Sequence, residues 1–291
     1  MSVLRFLHIT DTHFNIDYTG TRIERLHRAT GITLTEQLKI GVADALARCP
    51  DAQFVLLSGD LVHEGEVEDY DALRELLGEL FGEIPIYPSL GNHDNNCFWR
   101  GWLGQDAEDE DARYDSVVTL PGSGLRIITL DSRGGPYGSG VLSEKQLAWL
   151  GEVLSDASEA GSLLIMHHTP NDGISEPYLR YQLQSSQELY EVVEGSDIIA
   201  VFAGHTHMRY ESEFAGIACY TSPSIGFGIV VGEEDDRMTW NDDTGYNICE
   251  LEYGESQRSK LTVTAVDIEP PESHSAEVLY SELTADKYDS V

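Results

Sequence analysis

Short apolar runs alternate along the chain with longer segments whose apolar residues have helical spacing. Five predicted strands each end in a polar cluster, and they cover residues 3–10, 53–58, 84–90, 162–166 and 197–203. Helices are predicted between these strands, at residues 33–48, 67–82, 143–156 and 185–194. This alternation indicates an α/β fold.

The polar clusters at the ends of the predicted strands read D-T-H, G-D-L-V-H, G-N-H-D, H-H-T-P and G-H-T-H. In open α/β sheets, ligands bind at the carboxyl ends of the strands. We therefore expect the five clusters to meet in one composite site. The predicted helix at residues 143–156 begins with Ser143, and Gln146 three residues later completes a capping-box pattern.

The pattern changes after about residue 208, where strand-like stretches lie near residues 210–230, 246–252 and 260–268. No helical pattern interrupts them, so this part is predicted to complete the sheets of the same domain. Pro270 and Pro271 mark a boundary, and the remainder of the chain is polar. We predict one domain at residues 1–268 and a polar tail at residues 269–291.

Chain length and composition suit one large domain with ample core, because 41% of the 291 residues are apolar. The longest apolar runs fall far below the roughly 20 residues that a membrane span needs. The first residues lack the order of charged, apolar and cleavable segments of a secretory signal. We expect a cytoplasmic protein without a membrane partner. Its four cysteines form no close pairs, and we expect reduced, buried thiols.

The charge balance is strongly acidic, with 51 acidic against 18 basic residues and a formal net charge of -33. Self-repulsion of this size destabilises a compact chain in dilute buffer, whereas molar salt shortens the screening length to roughly 3 Å. The acidic residues are spread along the chain, which indicates a halophilic protein rather than an acidic tail. The same surface argues against nucleic acid as a partner at ordinary salt.

The polar clusters together supply two carboxylates, one amide oxygen and four imidazoles as candidate metal ligands. These residues are Asp11, His13, Asp60, Asn92, His167, His205 and His207. Such a set is large enough for two divalent ions if one carboxylate bridges them. Zn, Mn, Fe and Co accept mixed nitrogen and oxygen ligands, and no cysteine lies in the clusters to favour a softer metal. We therefore expect two divalent ions of this group as cofactors.

The ordered series of D-x-H, G-D, G-N-H-D, H and G-H-x-H over residues 11–207 resembles the calcineurin-like metallophosphoesterases. The resemblance implies a four-layer αββα sandwich and a dinuclear, metal-dependent hydrolase of phosphate esters. By the same resemblance, Asp60 bridges the two ions. The first ion takes Asp11, His13 and His207, and the second takes Asn92, His167 and His205. His167, rather than its neighbour His168, aligns with the family's ligand.

The G-N-H-D stretch gains its interpretation from this resemblance. Asn92 is expected to be a neutral ligand that leaves the ions strongly Lewis-acidic. His93 is the family's histidine that does not bind metal, and we assign it to protonation or charge stabilisation of the leaving oxygen. Asp94 is expected either to accept a hydrogen bond from a neighbouring histidine or to fix the loop as a turn former.

A finer resemblance indicates the class of substrate. The segments L-R-I-I-T-L-D-S, G-S-G-V-L-S-E-K-Q-L-A-W-L and L-L-I-M-H-H-T-P between residues 125 and 170 are similar to class III cyclic nucleotide phosphodiesterases and related glycerophosphodiesterases. The resemblance implies hydrolysis of a small phosphodiester, with cyclic 3',5'-AMP as the leading candidate, and a homodimer as one oligomeric state. His63 departs from it, because that branch often carries Asp there.

Two alternatives remain open at this stage. G-D-L-V-H is similar to the double-strand-break repair nucleases, so a DNA-repair-type metallonuclease is the main alternative. A scaffold that has kept the fold and lost catalysis is the second, and the filled ligand positions argue against it. The sequence leaves the exact substrate, the metal, the oligomeric state and the roles of His63 and of the tail undetermined.

Overall fold

The first sheet combines parallel strands from the amino-terminal half with an antiparallel pair from the carboxyl-terminal half. The computed structural model describes residues 2–170, 182–231, 237–254, 259–268, 270 and 274–279. The strands are β1 (Ser2–Ile9), β2 (Phe54–Ser58), β3 (Ile86–Ser89), β12 (Thr244–Tyr253) and β13 (Lys260–Ile268). Their order is β13-β12-β1-β2-β3, and β1, β2 and β3 run parallel. The clusters that follow β1, β2 and β3 therefore emerge at the same edge.

The second sheet has six strands in the order β4-β5-β6-β7-β9-β8. They are β4 (Ser116–Thr119), β5 (Arg126–Thr129), β6 (Ser162–Ile165), β7 (Ile198–Ala203), β8 (Tyr210–Phe214) and β9 (Ile217–Thr221). Strands β5, β6, β7 and β9 run parallel. The edge strands β4 and β8 pair antiparallel with β5 and β9, respectively. Every residue of β5 and β6 is buried, which is typical of a parallel sheet covered on both faces.

Five helices cover the outer faces of these two sheets. They are α2 (Leu34–Arg48), α3 (Val67–Phe81), α4 (Cys97–Gly101), α5 (Glu144–Leu154) and α6 (Ser186–Val193). The predicted capping box at the start of α5 is confirmed, because Ser143 Oγ accepts from the backbone N–H of Gln146 and the Gln146 side chain accepts from that of Ser143. Within the described part of the chain, no helix is long and apolar enough to cross a membrane.

The two sheets face each other across a buried apolar layer. Phe6 of β1 stacks on Phe54 of β2 with ring centroids 4.6 Å apart, and Phe202 of β7 meets Phe6 edge-on at 5.7 Å. Separate buried clusters join the first sheet to α2 and α3 and the second sheet to α5 and α6. The layer order is helix, sheet, sheet, helix, which confirms the predicted four-layer αββα sandwich.

A third, smaller sheet was not predicted from the sequence. Its strands are β10 (Gly228–Val231), β11 (Arg237–Asn241) and β14 (Ser275–Leu279), in the order β10-β11-β14. Helix α1 (Arg22–Thr30), also missed, packs on this sheet through a buried cluster that includes Phe227. The helix lies in the long connection after β1, where no apolar run marks it as part of the main sandwich.

The carboxyl-terminal region contributes to this small sheet. β13 ends at Ile268, and β14 lies inside the predicted tail at residues 269–291, of which the structure describes residue 270 and residues 274–279. The backbone N–H of His274 donates to Asp242 Oδ1 at 2.9 Å and so ties the start of β14 to the turn after β11. The division into residues 1–268 and 269–291 stays a prediction.

All four cysteines are free, and only Cys97 among them is not fully buried.

Candidate metal centre

The connections after β1, β2 and β7 bring their polar clusters together by bending sharply. Seven non-glycine residues of the described chain have a positive φ, and five of them are predicted metal ligands. Those five are Asp11, His13, Asp60, His205 and His207. Left-handed backbone at residues other than glycine costs about 1–3 kcal/mol each and persists where the surroundings enforce it. Because such strain clusters at functional sites, its concentration at these positions agrees with their prediction as one site.

The first group of side chains meets around Asp11 Oδ1. His207 Nε2 lies 3.3 Å from this oxygen and His13 Nε2 lies 3.8 Å from it, while the two nitrogens are 3.2 Å apart. All three residues are buried. One carboxylate oxygen and two imidazole nitrogens thus converge on a single point, which is the arrangement that a divalent cation of the Zn or Mn group requires.

Asp60 connects this group to a second one. Its Oδ2 atom lies 3.6 Å from His13 Nε2 and 3.2 Å from His167 Nε2. The ring of His205 lies next to that of His167, with centroids 5.0 Å apart, and the His205 backbone N–H donates to Asp11 Oδ2 at 3.1 Å. Asp60 therefore stands between two histidine groups, where a bridging carboxylate would have to stand.

Glycines allow the backbone to approach this centre closely. A Cβ atom on Gly91 would lie 2.2 Å from Asp60 Oδ1, and one on Gly59 would lie 2.5 Å from His167 Nδ1. Gly59 also has a φ of +94°. Any larger residue at either position would displace a predicted ligand, which explains why G-D and G-N-H-D both begin with glycine.

Outer hydrogen bonds set the orientation of the ligand imidazoles. His167 Nδ1 donates to the backbone oxygen of Ser58 at 2.8 Å, and His207 Nδ1 donates to that of Phe227 at 2.6 Å. Because a carbonyl oxygen only accepts, both rings carry their proton on Nδ1, and a neutral ring then leaves Nε2 as a free ligand atom. Phe227, which the sequence reading missed, precedes the small sheet and bears no local signal of this role.

Three buried polar atoms of the predicted set have no hydrogen-bond partner within the described residues. They are Asp11 Oδ1, Asn92 Oδ1 and His167 Nε2. Leaving a buried polar group unsatisfied costs about 1–3 kcal/mol, more if it is charged, so this number at one place calls for a ligand. Bound cations would satisfy these atoms, because each can present a lone pair. The donor set therefore fits divalent metal ions.

The electrostatics of the pocket agree with this fit at Asp60, His13 and His205, whereas at His167 a cation would have to displace a proton. Burial alone would raise the pKa of Asp60, but the adjacent His167 and His93 hold it well below its ordinary value. Burial alone would lower the pKa of His167, but the charge of Asp60 raises it to about 9. Burial lowers the pKa of His13 and of His205 well below the ordinary value. An ionised carboxylate and neutral imidazoles are the forms in which these groups bind metal.

The structure separates the two adjacent histidines of H-H-T-P. His167 turns Nε2 towards Asp60, whereas both ring nitrogens of His168 are engaged elsewhere. Nδ1 of His168 lies 2.8 Å from Ser132 Oγ, and its Nε2 atom lies 3.0 Å from the backbone oxygen of Gly138. Burial lowers the pKa of His168 to about 3, so the ring is neutral. This geometry supports the choice of His167 over His168 as the ligand.

His93 lies at the mouth of the centre rather than inside it. Its backbone N–H donates to Asp60 Oδ1 at 2.8 Å, and its ring is packed edge-on to that of His13, with centroids 5.0 Å apart. About a quarter of the His93 side chain is exposed, at 23%, and its Nδ1 atom lies 3.5 Å from Glu64 Oε1. A ring that is anchored beside the carboxylate and open to solvent can reach a bound substrate.

Asp94 fixes the loop, which was one of the two roles expected for it. Its carboxylate accepts from the backbone N–H groups of Gly91, Leu61 and Val62 and from the hydroxyl of Tyr70 at 2.8 to 3.2 Å. These donors take the place of the histidine that the other expectation named. Burial and the neighbouring charge of Asp60 raise the pKa of Asp94 to about 7.

A four-layer sandwich with buried histidine and aspartate side chains grouped at the carboxyl ends of its strands is the arrangement expected of a metal-dependent phosphoesterase. The chain belongs to the calcineurin-like phosphoesterase family, whose model matches residues 4–209. This match confirms the family resemblance and the metal-dependent phosphoesterase activity predicted from the sequence. It ends two residues after His207, and all three strands of the small sheet lie beyond it.

Known proteins agree with the family assignment. The chain is 32% identical over 225 residues to a probable cyclic nucleotide phosphodiesterase of Rhodococcus erythropolis, covering 74% of this chain and 71% of that protein. It is 31% identical over 229 residues to a cAMP/cGMP dual specificity phosphodiesterase of Mycobacterium tuberculosis, covering 74% and 67%. A dimetal phosphatase from Danio rerio shares the fold, with a TM-score of 0.58 and 14% identity over 89% of this chain and 98% of that one.

Proposed function

We propose that this protein is a dinuclear phosphodiesterase that hydrolyses 3',5'-cyclic nucleotides or related small phosphodiesters. The observation that carries the proposal is the position of Asp60, whose Oδ2 atom lies within 3.6 Å of a histidine nitrogen from each of two groups. The names of the two relatives, a cyclic nucleotide phosphodiesterase in both cases, support the substrate class.

The proposed ligand sets follow the two groups of side chains. The first ion would be held by Asp11, His13 and His207, whose ligand atoms lie within 4.8 Å of one another. The second would be held by His167, His205 and the amide oxygen of Asn92, and Asp60 would contribute to both. Only two of these ligands are carboxylates, so two divalent ions keep an excess of positive charge that attracts an anionic phosphate.

The chain's own residues divide the work of hydrolysis. When bound, a pair of divalent ions stabilises the charge of the phosphate and lowers the pKa of an attacking water. Asp60 holds the two ligand groups in register, and its second oxygen, Oδ1, fixes the backbone of His93. His93 then presents its ring to the leaving oxygen as a proton donor or hydrogen-bond donor. Asp94 keeps the two loops together beneath this ring.

Nitrogen and oxygen ligands without cysteine favour Mn, Fe, Zn or Co as the bound metal. The net charge of -33 argues against a polyanionic DNA substrate. A DNA-repair-type metallonuclease is therefore the less favoured alternative, and the test below includes DNA to distinguish it. Family membership and the filled ligand positions favour an enzyme over a non-catalytic scaffold. We also propose a cytoplasmic location and a homodimer, and light scattering of the purified chain tests the latter.

The test combines metal analysis with three substrates. Protein loaded with Mn²⁺ is assayed on cyclic AMP, bis(p-nitrophenyl) phosphate and single-stranded DNA. His274→Gln serves as a control, because His274 lies just before β14 of the small sheet, beside Asp242. Hydrolysis of the first two substrates, lost in Asp60→Asn and kept in His274→Gln, supports the proposal. Preferential cleavage of DNA favours the nuclease, and a wild-type protein that hydrolyses none of the three contradicts the proposal.

A further inference from the structure

The imidazole of His13 differs from those of His167 and His207 in its outer hydrogen bond. His167 and His207 each donate from Nδ1 to a backbone carbonyl. His13 instead has its Nδ1 atom 3.1 Å from Nδ1 of another histidine, His63. A contact between two such nitrogens needs one donor and one acceptor, so the roles of the two rings have to be assigned.

The position of Nε2 in His13 assigns these roles. That atom lies 3.2 Å from His207 Nε2, 3.8 Å from Asp11 Oδ1 and 3.6 Å from Asp60 Oδ2, so it faces the candidate metal position. A neutral imidazole that binds a cation through Nε2 carries its proton on Nδ1. His13 is therefore the donor and His63 the acceptor, which places the proton of a neutral His63 on its own Nε2.

His63 makes a second contact, with the proposed proton donor. Its ring stacks on that of His93, with centroids 4.5 Å apart and planes inclined by 22°. The ring of His93 also meets that of His13 edge-on. One side chain thus touches both a metal ligand and the residue that is to reach the leaving oxygen.

The backbone holds His63 firmly in this place. Its N–H donates to Asn15 Oδ1 at 2.9 Å, and the Asn15 amide nitrogen donates back to the His63 backbone oxygen at 3.1 Å. Phe14 and Val62 form an isolated parallel bridge beside this pair. The loops after β1 and β2 are therefore held together at His63, so its ring projects from a fixed backbone position.

We propose that His63 is a positioning residue that accepts the Nδ1–H of His13, thereby presenting Nε2 of His13 to the first ion, and that stacks on His93 to orient its ring. The proposal rests on the function proposed above, because it requires a cation at His13. A third ion bound by His13, His63 and His93, whose ligand atoms also lie within 4.8 Å of one another, is excluded by the same assignment. Nδ1 of His13 carries a proton and cannot bind metal.

Three substitutions separate the two contacts. His63→Asn keeps an acceptor oxygen near the position of Nδ1 and removes the ring. His63→Gln is the matched control, because its amide oxygen reaches the position of Nε2 instead. His63→Phe keeps a ring that can stack and removes the acceptor. Each variant is stripped with a chelator, checked for an unchanged thermal midpoint, and titrated with Mn²⁺ by calorimetry, which needs no activity.

The variants are expected to affect the Mn²⁺ affinity and the ratio of the two kcat values separately. At the site formed by Asp11, His13 and His207, His63→Phe and His63→Gln bind Mn²⁺ about 10–100-fold more weakly than wild type. His63→Asn binds Mn²⁺ there with an affinity close to wild type. With metal saturating, His63→Asn lowers kcat on cyclic AMP more than on bis(p-nitrophenyl) phosphate, because only the alkoxide needs a well-placed proton donor. His63→Phe keeps the wild-type ratio of the two kcat values.

Two results would overturn the inference. Equal Mn²⁺ affinities in His63→Asn and His63→Gln would remove the acceptor role, and an unchanged kcat ratio in His63→Asn would remove the orienting role. If His63→Asn fails to fold, a wild-type Mn²⁺ affinity in His63→Phe would overturn the acceptor role, and a wild-type kcat ratio in His63→Gln would overturn the orienting role. If the wild-type protein binds Mn²⁺ but cleaves no diester, the proposed function fails while the calorimetric comparison still tests His63.

Discussion

Oδ2 of Asp60 lies 3.2 Å from Nε2 of His167, although one residue follows a strand of the first sheet and the other a strand of the second. The contact is buried and joins the two halves of the sandwich at the carboxyl ends of β2 and β6. Because Asp60 Oδ2 also lies near His13, the same oxygen belongs to both groups of candidate ligands.

The first prediction concerns the number of metal ions. We expect two Mn²⁺ ions per chain after dialysis of the full chain against the metal, measured by elemental analysis. Asp60→Asn should lose at least one of them, because the amide lacks the negative charge of the carboxylate that stands between the two ligand groups. Bound metal should also raise the unfolding midpoint of the wild type by mass action. At most one tightly bound ion under saturating Mn²⁺ would speak against a dinuclear centre.

The second prediction separates catalysis from metal binding at His93. His93→Ala should keep both ions, because its ring lies beside the predicted ligands and not among them. Its kcat on cyclic AMP should fall by about 10²–10⁴, the usual contribution of a positioned proton donor. The loss on bis(p-nitrophenyl) phosphate should be smaller, since nitrophenolate leaves without protonation. Equal losses on both substrates would reject the role of proton donor.

The third prediction uses two glycines in opposite surroundings. Gly91→Ala should weaken metal binding and stability together, because the added Cβ would lie 2.2 Å from Asp60 Oδ1. Gly78→Ala is the matched control: Gly78 lies in α3, and no atom would come within 4 Å of its Cβ. That change should stabilise the protein by roughly 0.5–1 kcal/mol through helix propensity. Urea unfolding at fixed metal concentration measures both, and the same sign for both would contradict the close-approach argument.

The fourth prediction tests the role of Asp94 in the loop. In Asp94→Asn one acceptor oxygen becomes an N–H₂ group that faces backbone donors, so at least one buried N–H loses its partner. We expect a loss of about 1–3 kcal/mol in the free energy of unfolding. Tyr70→Phe removes one hydroxyl from the same group and should cost less than Asp94→Asn. A neutral effect of Asp94→Asn at fixed metal would show that the carboxylate does not hold the two loops.

The fifth prediction follows from the net charge of -33. Monovalent salt should raise the unfolding midpoint of the metal-loaded protein, first by screening, which saturates near a Debye length of about 3 Å, and then by weak cation binding to acidic clusters. Metal must be held constant, since its binding would mimic the effect. Identical midpoints in about 0.1 M and about 2 M KCl would contradict the halophilic interpretation and point to a basic partner.

The sequence by itself determined most strands of the sandwich, though not β4 and β5, and the place of the candidate site. Both are encoded locally: an apolar run of strand length specifies a buried strand, and the cluster that follows it must emerge where that strand ends. This is why Asp11, Asp60 and His167 could be expected to meet, even though their assignment as metal ligands stays a prediction. The order of the five motifs also indicated the family to which the chain belongs.

Only the tertiary structure decided contacts between loops that are remote in sequence. The small sheet with α1, the carbonyl of Phe227 that orients His207, and the place of His63 between His13 and His93 depend on the paths that the connections take across the ends of the strands. No period or turn signal encodes those paths. The two roles considered for Asp94 were equally compatible with G-N-H-D, and the backbone donors of Leu61 and Val62, brought close by the pairing of neighbouring strands, selected one of them.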